Sequence, residues 1–257
     1  MYIVLTLLFN KKSNTNRYLF TLMIRQLPNF LTLMNLFSGC IAIVFAFQAE
    51  FEITFWFLAL GIFFDFWDGF LARKLGVSGA LGVQLDSLAD MVTSGVVPGL
   101  VMFVYLNSFE WFSTRPFLPY LGFIITLGAC VRLARFNIDT RQTTSFIGLP
   151  TPANALWVVS LPLLFDQSLP YFIQEWIYEN PYVLFVFIVL SAYLMNAEMP
   201  LFSLKINKSA KNAFLFPLML IVLSIVLLIW LSYAAMPLII LLYILLSLVK
   251  NSFSKSY

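Results

Sequence analysis

Apolar segments long enough to cross a lipid bilayer recur along the whole chain. A membrane-spanning helix needs about 20 consecutive, mostly apolar residues. Hydrophobic residues make up 61% of the 257-residue sequence, far above the level of a soluble domain. Backbone polar groups inside a bilayer must be bonded within the chain, which favours helices. We therefore expect an all-α polytopic integral membrane protein with about eight transmembrane helices, at 28–48, 52–73, 80–106, 117–137, 151–166, 181–197, 212–232 and 235–250.

Basic residues are concentrated in every second connection between these segments, so nearly all of them fall on one side of the membrane. With a cytoplasmic N-terminus, every Lys and Arg except Arg115 falls in or beside a cytoplasmic segment. Cytoplasmic loops carry an excess of Lys and Arg, so this orientation is favoured. We expect both termini in the cytoplasm, the bilayer as a partner and no nucleic-acid partner.

The first 22 residues do not read as a secretory signal peptide, because their apolar stretch precedes the basic residues and no small-residue cleavage site follows. We expect Met23 to be the natural start and residues 1–22 to be a non-native or disordered extension, which N-terminal sequencing would test. Residues 23–257 are expected to form a single membrane domain, with the catalytic helices within 28–166 and additional spans in 181–250.

Four aspartates fall within 26 positions of a chain in which only 11% of residues are charged: Asp65, Asp68, Asp86 and Asp90. Carboxylates at membrane depth are costly unless they are paired or bind a cation, so they indicate a functional site. The first pair is spaced i,i+3 and the second i,i+4, so each pair lies on one helix face. The connection 74–79 is short enough to bring the two helices together as antiparallel neighbours.

Carboxylate oxygens suit magnesium, manganese or calcium, and the chain contains no histidine. Structural ion pairing is the alternative, but only Arg73 and Lys74 are local cations. Metal-bound carboxylates at a membrane surface suit a phosphate-bearing substrate. Asp90 could act as general base, since no histidine is available. Small residues leave room for a ligand, or alternatively for helix packing, at Gly69, Ala72, Gly79 and Gly82.

The spacing Asp65-x2-Asp68-Gly69-x2-Ala72-Arg73-x8-Gly82-x3-Asp86-x3-Asp90 resembles the signature of the CDP-alcohol phosphatidyltransferases at all eight of its positions. The resemblance implies two divalent cations, Mg²⁺ or Mn²⁺, one bound by Asp65, Asp68 and Asp86 and the other by Asp65, Asp86 and Asp90. It also implies that Asp90 accepts the proton. The residues implied to contact CDP-diacylglycerol are Pro28, Asn29, Phe30, Leu31, Gly69, Ala72, Arg73, Gly79 and Gly82.

Two later stretches, 132–137 and 146–155, resemble the bacterial and archaeal type II phosphatidylserine synthases of this family. This implies L-serine as acceptor, phosphatidylserine and CMP as products, and a homodimer in a bacterial cell membrane. The distribution of Lys and Arg predicts that the active site faces the cytoplasm. The acceptor-binding candidates are Arg132, Arg135, Gly148, Pro150 and Pro152. Arg132 and Arg135 could instead be ordinary positive-inside residues facing lipid headgroups.

Other acceptors remain open at this point, because glycerol 3-phosphate, inositol phosphate and choline are served by the same signature. A cation transporter is a more distant alternative. Transporters more often show inverted repeats and acidic residues near the bilayer midplane. This chain has no visible repeat, and its aspartates lie at the ends of the apolar runs.

Overall fold

A computed structural model describes residues 2–139, 146–167, 170–201, 215–231 and 235–254. Within these ranges, side chains are described for 24–139, 148–165, 170–177, 180–199, 218–231 and 235–247. Helices dominate, as predicted. The one pair of strands in the described residues is antiparallel, and each strand has two residues. The elements in chain order are α1 (Tyr2–Phe47), α2 (Phe51–Leu75), α3 (Ala80–Asp90), α4 (Val97–Asn107), α5 (Ile124–Ile138), β1 (Phe146–Ile147), α6 (Thr151–Val159), α7 (Leu161–Gln167), α8 (Tyr171–Glu179), α9 (Tyr182–Asn196), β2 (Pro200–Leu201), α10 (Leu215–Leu231) and α11 (Met236–Ser254).

Four helical segments in the described chain are long and apolar enough to cross a bilayer: Ile24–Phe47, Phe51–Leu75, Ala80–Asn107 and Leu118–Ile138. They agree with the first four predicted spans. A fifth arises if the segments Tyr171–Ile177 and Tyr182–Asn196, bent by 81°, count as one span. The apolar helices over Thr151–Phe165, Leu218–Leu231 and Met236–Ser247 are shorter. Eight spans and the orientation of the termini stay predictions, and parts of the predicted span 212–232 lie outside the described residues.

The third span is not a uniform α-helix. A π-helical turn, Met91–Val96, joins α3 to α4, and the Val97 N–H donates to the carbonyl of Val92, five residues back. Pro98 follows at the start of α4, where its ring and missing N–H disfavour a regular ladder with the preceding turn. The Thr126 hydroxyl donates to the Gly95 carbonyl over 2.9 Å. Such π-turns change the direction of the side chains on either side of them and are frequent at functional sites.

The core joins the helices that carry the predicted site. Helices α2 and α3 both pack against α1. One buried cluster includes Phe55 of α2 and Leu100 of α4, and a second centres on Tyr105 of α4 with Met195 of α9. Close van der Waals packing of such side chains favours association of helices within a bilayer. The contacts of α1 with α2 and α3 bring together the three helices around the carboxylates.

Close backbone contact holds α4 against the helical turn that precedes α5. A Cβ atom on Gly122 would lie 2.8 Å from the backbone nitrogen of Phe103 and 3.0 Å from the carbonyl oxygen of Gly99. Real side chains do not approach backbone atoms that closely. Small residues at helix interfaces are the usual means by which membrane helices pack tightly.

Candidate active site

The predicted carboxylates meet at the end of α2 and along α3. Carboxylate oxygens of Asp65, Asp68 and Asp86 lie within 4.8 Å of one another. Asp65 and Asp86 are close enough to hydrogen-bond, and Asp90 lies within electrostatic range of both. Four negative charges this close repel one another strongly unless cations lie between them. The carboxylates thus come together as their i,i+3 and i,i+4 spacing predicted.

The turn between α2 and α3 makes this convergence possible. Gly76 has φ +64°, a left-handed conformation that glycine adopts without steric cost, and it ends α2. Its N–H donates to the Arg73 carbonyl over 3.3 Å, and the Val77 N–H donates to the Ala72 carbonyl over 3.0 Å. The chain can then enter α3 at Ala80 after only a few residues.

Two polar side chains of α1 support the carboxylates and were missed from the sequence. The Thr32 hydroxyl donates to Asp68 Oδ2 over 2.5 Å, and Asn35 Nδ2 donates to Asp90 Oδ1 over 3.1 Å. Both residues are buried. The signal that could have found them is periodicity, since Pro28, Thr32 and Asn35 share one face of α1.

The residues at this cluster fit a divalent cation of the hard type. All the candidate ligands are carboxylate oxygens, which suit Mg²⁺ or Mn²⁺. The guanidinium of Arg73 lies within electrostatic range of Asp68 and Asp86, where it is one positive charge beside several carboxylates. Asp65, Asp68 and Asp86 would hold one cation, and Asp90 extends the ligand set towards a second.

A cavity of about 590 Å³ opens on one side of the cluster. Seven of the residues implied to contact CDP-diacylglycerol line it: Pro28, Asn29, Gly69, Ala72, Arg73, Gly79 and Gly82. The lining drawn from the described residues does not include Phe30 or Leu31, and the side chain of Phe30 is exposed. Sequence reasoning missed Arg25, Gln26 and Ser78, which also line the cavity. A Cβ on Gly79 would meet nothing closer than 4.0 Å, so this wall is open to a ligand.

A second cavity, of about 260 Å³, lies on the other side of the carboxylates. Asp86 lines both cavities, and Asp65 and Asp90 line the second. Its remaining wall consists of Ser87, Arg132, Leu133, Phe136, Asn137, Pro150, Thr151 and Pro152. Asn137 Nδ2 donates to Ser87 Oγ over 2.8 Å and thereby joins α5 to α3. Ser87, Asn137 and Thr151 were not candidates from the sequence.

The acceptor candidates divide between this cavity and its surroundings. Arg132 is only 6% exposed and lies against the ring of Phe136, with 5.6 Å between the guanidinium carbon and the ring centroid. Arg135, one turn further along α5, is exposed and does not appear in the cavity lining drawn from the described residues. Of the two arginines that were acceptor-binding candidates, Arg132 is the one that lines the cavity.

Gly148 shapes the second cavity without lining it. Its φ is +75°, and a Cβ there would lie 2.5 Å from the Met195 carbonyl oxygen. Its N–H donates to the Met199 carbonyl, and the Leu149 N–H donates to the Leu194 carbonyl, each over 2.9 Å. These contacts attach the segment before α6 to α9. Pro150 and Pro152 are thereby held at the cavity wall.

Known proteins resemble this chain over the region that carries both cavities. A family model described as CDP-alcohol phosphatidyltransferase matches residues 25–188. A CDP-diacylglycerol–serine O-phosphatidyltransferase of Helicobacter pylori is 35% identical over 204 residues, covering 77% of this chain and 80% of the relative. The protein of the same name in Bacillus subtilis is 32% identical over 148 residues, covering 56% and 78%. That of Methanocaldococcus jannaschii is 34% identical over 143 residues, covering 56% and 63%.

The matched region contains all four aspartates, the α1 residues that support them and the walls of both cavities. Its length and the identity to the Helicobacter pylori protein agree with the resemblance that the aspartate spacing indicated. The chain is an integral membrane enzyme that belongs to the CDP-alcohol phosphatidyltransferase family.

Proposed function

We propose that this protein transfers the phosphatidyl group of CDP-diacylglycerol to the hydroxyl of L-serine, giving phosphatidylserine and CMP. The observation that carries the proposal is the pair of cavities that meet at Asp86. A two-substrate transfer needs one site for each substrate, with the reacting atoms brought together between them. The names of the relatives support the choice of donor and acceptor.

The larger cavity suits the CDP end of the donor. Gly69, Gly79 and Gly82 leave the backbone accessible, and Arg73 supplies a guanidinium suited to phosphate oxygens. Divalent cations at the aspartates would neutralise the pyrophosphate oxygens and stabilise the charge that develops on the leaving CMP. The acyl chains of the donor would remain in the bilayer. We place this end of the site at the cytoplasmic face of a bacterial cell membrane, because the Lys and Arg distribution favours that orientation.

The smaller cavity suits a small amino acid. Arg132 can pair with the substrate carboxylate, and Asp90 lies on the same cavity wall. In the proposed reaction Asp90 takes the proton of the serine hydroxyl as its oxygen attacks the phosphorus attached to diacylglycerol. The bond from that phosphorus to the CMP oxygen breaks, and CMP leaves. The substitution is a direct displacement, with no covalent enzyme intermediate.

The other acceptors fit this cavity less well. A phosphorylated alcohol brings two negative charges to a wall that holds three aspartates and one buried arginine. Choline has no carboxylate to pair with Arg132, which lines this cavity. Membership of the phosphatidyltransferase family decides against the cation transporter.

Release of CMP by the purified protein tests the proposal. CDP-diacylglycerol and Mn²⁺ or Mg²⁺ would be supplied with serine, glycerol 3-phosphate, inositol phosphate or choline in separate reactions. We expect release with serine, loss of activity on chelation, and recovery when either metal is returned. Removal of a general base lowers turnover by about 100-fold or more, which is the expectation for Asp90→Asn.

Glu52→Gln is the matched control for charge removal, because Glu52 is exposed in the first turn of α2, far along that helix from Asp68. We expect it to retain the activity of the unmodified protein. Release with a different alcohol alone would refute serine as acceptor. Full activity of Asp90→Asn would refute the base role of Asp90.

A further inference from the structure

The buried amide of Asn35 faces Asp90 from the neighbouring helix. Asn35 is 0% exposed, and its Nδ2 donates to Asp90 Oδ1 over 3.1 Å. Among the described residues, the Oδ1 atom of the same amide has no hydrogen-bond partner. A buried carbonyl without a partner is costly. The amide nevertheless keeps this orientation, which indicates that the hydrogen bond from its Nδ2 to Asp90 determines it.

The carboxylate determines that orientation. Rotating the amide by half a turn would bring its oxygen against Asp90 Oδ1, where two acceptors would repel each other. Hydrogen bonds to charged groups are stronger than those between neutral groups, so the donor end is held towards Asp90. The unpartnered oxygen is the structural consequence.

The backbone around Asn35 prevents the amide from moving away. The Thr93 hydroxyl donates to the Asn35 carbonyl over 3.2 Å, and Thr93 belongs to the π-turn that directly follows Asp90. A Cβ on Gly61 of α2 would lie 2.7 Å from Thr93 Cγ2 and 3.0 Å from Asn35 Oδ1. The amide therefore occupies a slot closed by α1, α2 and the π-turn. Asn35 contacts the segment carrying Asp90 at two points, through its side chain and through its backbone.

We propose that Asn35 is a positioning residue that fixes the carboxylate of Asp90 and so orients its proton-accepting oxygen. This inference rests on the proposed function, in which Asp90 takes the proton of the acceptor hydroxyl. Asp90 lines the smaller cavity, and with Oδ1 already accepting from Asn35 we expect Oδ2 to be the oxygen that receives the proton.

Replacement of the amide tests this role. Asn35→Ala removes the donor, and Asn35→Leu removes it while filling a similar volume. Loss of a hydrogen bond to a charged group predicts a fall in kcat of roughly 10- to 100-fold. The KM values for serine and CDP-diacylglycerol should stay within about threefold, because the effect falls on the transition state. The Kd for CMP in the presence of Mn²⁺, measured by calorimetry without turnover, should also stay within about threefold of the unmodified value.

Asn154→Ala is the matched control. Asn154 is also 0% exposed, its Oδ1 accepts from the Ser191 hydroxyl over 2.7 Å, and it lies between α6 and α9. Asn154→Ala should lower the melting temperature as much as Asn35→Ala does. Its kcat should stay near that of the unmodified enzyme. An equal fall in kcat for both variants, or failure of both Asn35 variants to fold while Asn154→Ala folds, would show a merely structural role and overturn the inference.

A double-mutant cycle with Asp90→Asn separates this inference from the proposed function. If Asn35 acts through Asp90, its removal in the Asp90→Asn background should lower the residual rate by less than about twofold. A full additional loss there would refute positioning through Asp90. An active Asp90→Asn variant would instead refute the base role, whereas a fully active Asn35→Ala beside an inactive Asp90→Asn would refute only the role of Asn35.

Discussion

Replacement of Arg132 by glutamine should impair the use of serine far more than the use of CDP-diacylglycerol. Arg132 is 6% exposed and lines the smaller cavity with the three aspartates. Glutamine keeps much of the length and polarity of the side chain but removes its charge. The proposed pairing with the serine carboxylate would then be lost.

The expected magnitude follows from the chemistry of the contact. A hydrogen bond to a charged group contributes about 1.5–3 kcal/mol. Since each 1.4 kcal/mol is a factor of ten, kcat/KM for serine should fall roughly 10- to 100-fold. Arg135→Gln is the matched control, because it removes the same charge one turn away, from an exposed side chain outside the cavity lining. Its effect should be within about twofold, as is usual for exposed charges.

The assay is the initial rate of CMP release over a range of serine concentrations at saturating CDP-diacylglycerol. Ethanolamine, which is serine without the carboxylate, provides a second comparison. The rate of CMP release with ethanolamine, however low, should be the same in the unmodified enzyme and in Arg132→Gln. The ratio of the rate with serine to the rate with ethanolamine should therefore fall in the variant. Arg132 also interacts with Asp139, so its replacement could affect the fold. An unchanged KM for CDP-diacylglycerol and an unchanged melting temperature would show that the variant is folded.

Equal serine dependence of Arg132→Gln and Arg135→Gln would refute the assignment of Arg132 to the acceptor carboxylate. A fall in the rate with ethanolamine as large as that with serine would also contradict it. Arg132 would then act on the structure of the site, or on the donor, and not on the acid group of the acceptor.

Two further predictions concern the support of the site. Thr32→Val removes the hydroxyl that donates to Asp68. Loss of a hydrogen-bond partner of a metal ligand should raise the Mn²⁺ concentration for half-maximal CMP release roughly tenfold. An unchanged Mn²⁺ dependence would contradict this prediction. Gly122→Ala would place a Cβ 2.8 Å from the Phe103 nitrogen, and overpacking of this kind should destabilise the fold by about 1–3 kcal/mol. The measurement is the melting temperature in detergent, with Gly79→Ala, whose Cβ would meet open space, expected to melt like the unmodified protein.

Much of the site was predictable because it depends on local spacing. The aspartates of each pair, spaced i,i+3 and i,i+4, lie about one turn of helix apart, so their shared faces follow from helix geometry alone. The first four membrane segments were predictable for a similar reason, since length and hydropathy are properties of a continuous segment. The glycine-rich turn between α2 and α3 then left little freedom in how the two pairs could meet.

The contributions of distant segments could not be predicted in the same way. Thr32 precedes Asp68 by 36 residues and Asn35 precedes Asp90 by 55. Only the packing of α1 against α2 and α3 brings these residues together. The π-turn before Pro98 interrupts a run that reads as one regular helix. Periodicity indicates which residues share a face, but it does not indicate which faces meet.

By itself, the sequence determined that this is a helical membrane protein whose four aspartates form two helix-spaced pairs, in the pattern of the CDP-alcohol phosphatidyltransferase family. The tertiary structure alone decided that the site has two cavities, that Arg132 and not Arg135 enters the smaller one, and that Gly148 holds its wall against α9. The physical reason is the range of the interactions. Hydropathy and helix spacing act within one segment, whereas cavities and buried hydrogen bonds arise only where several segments pack together.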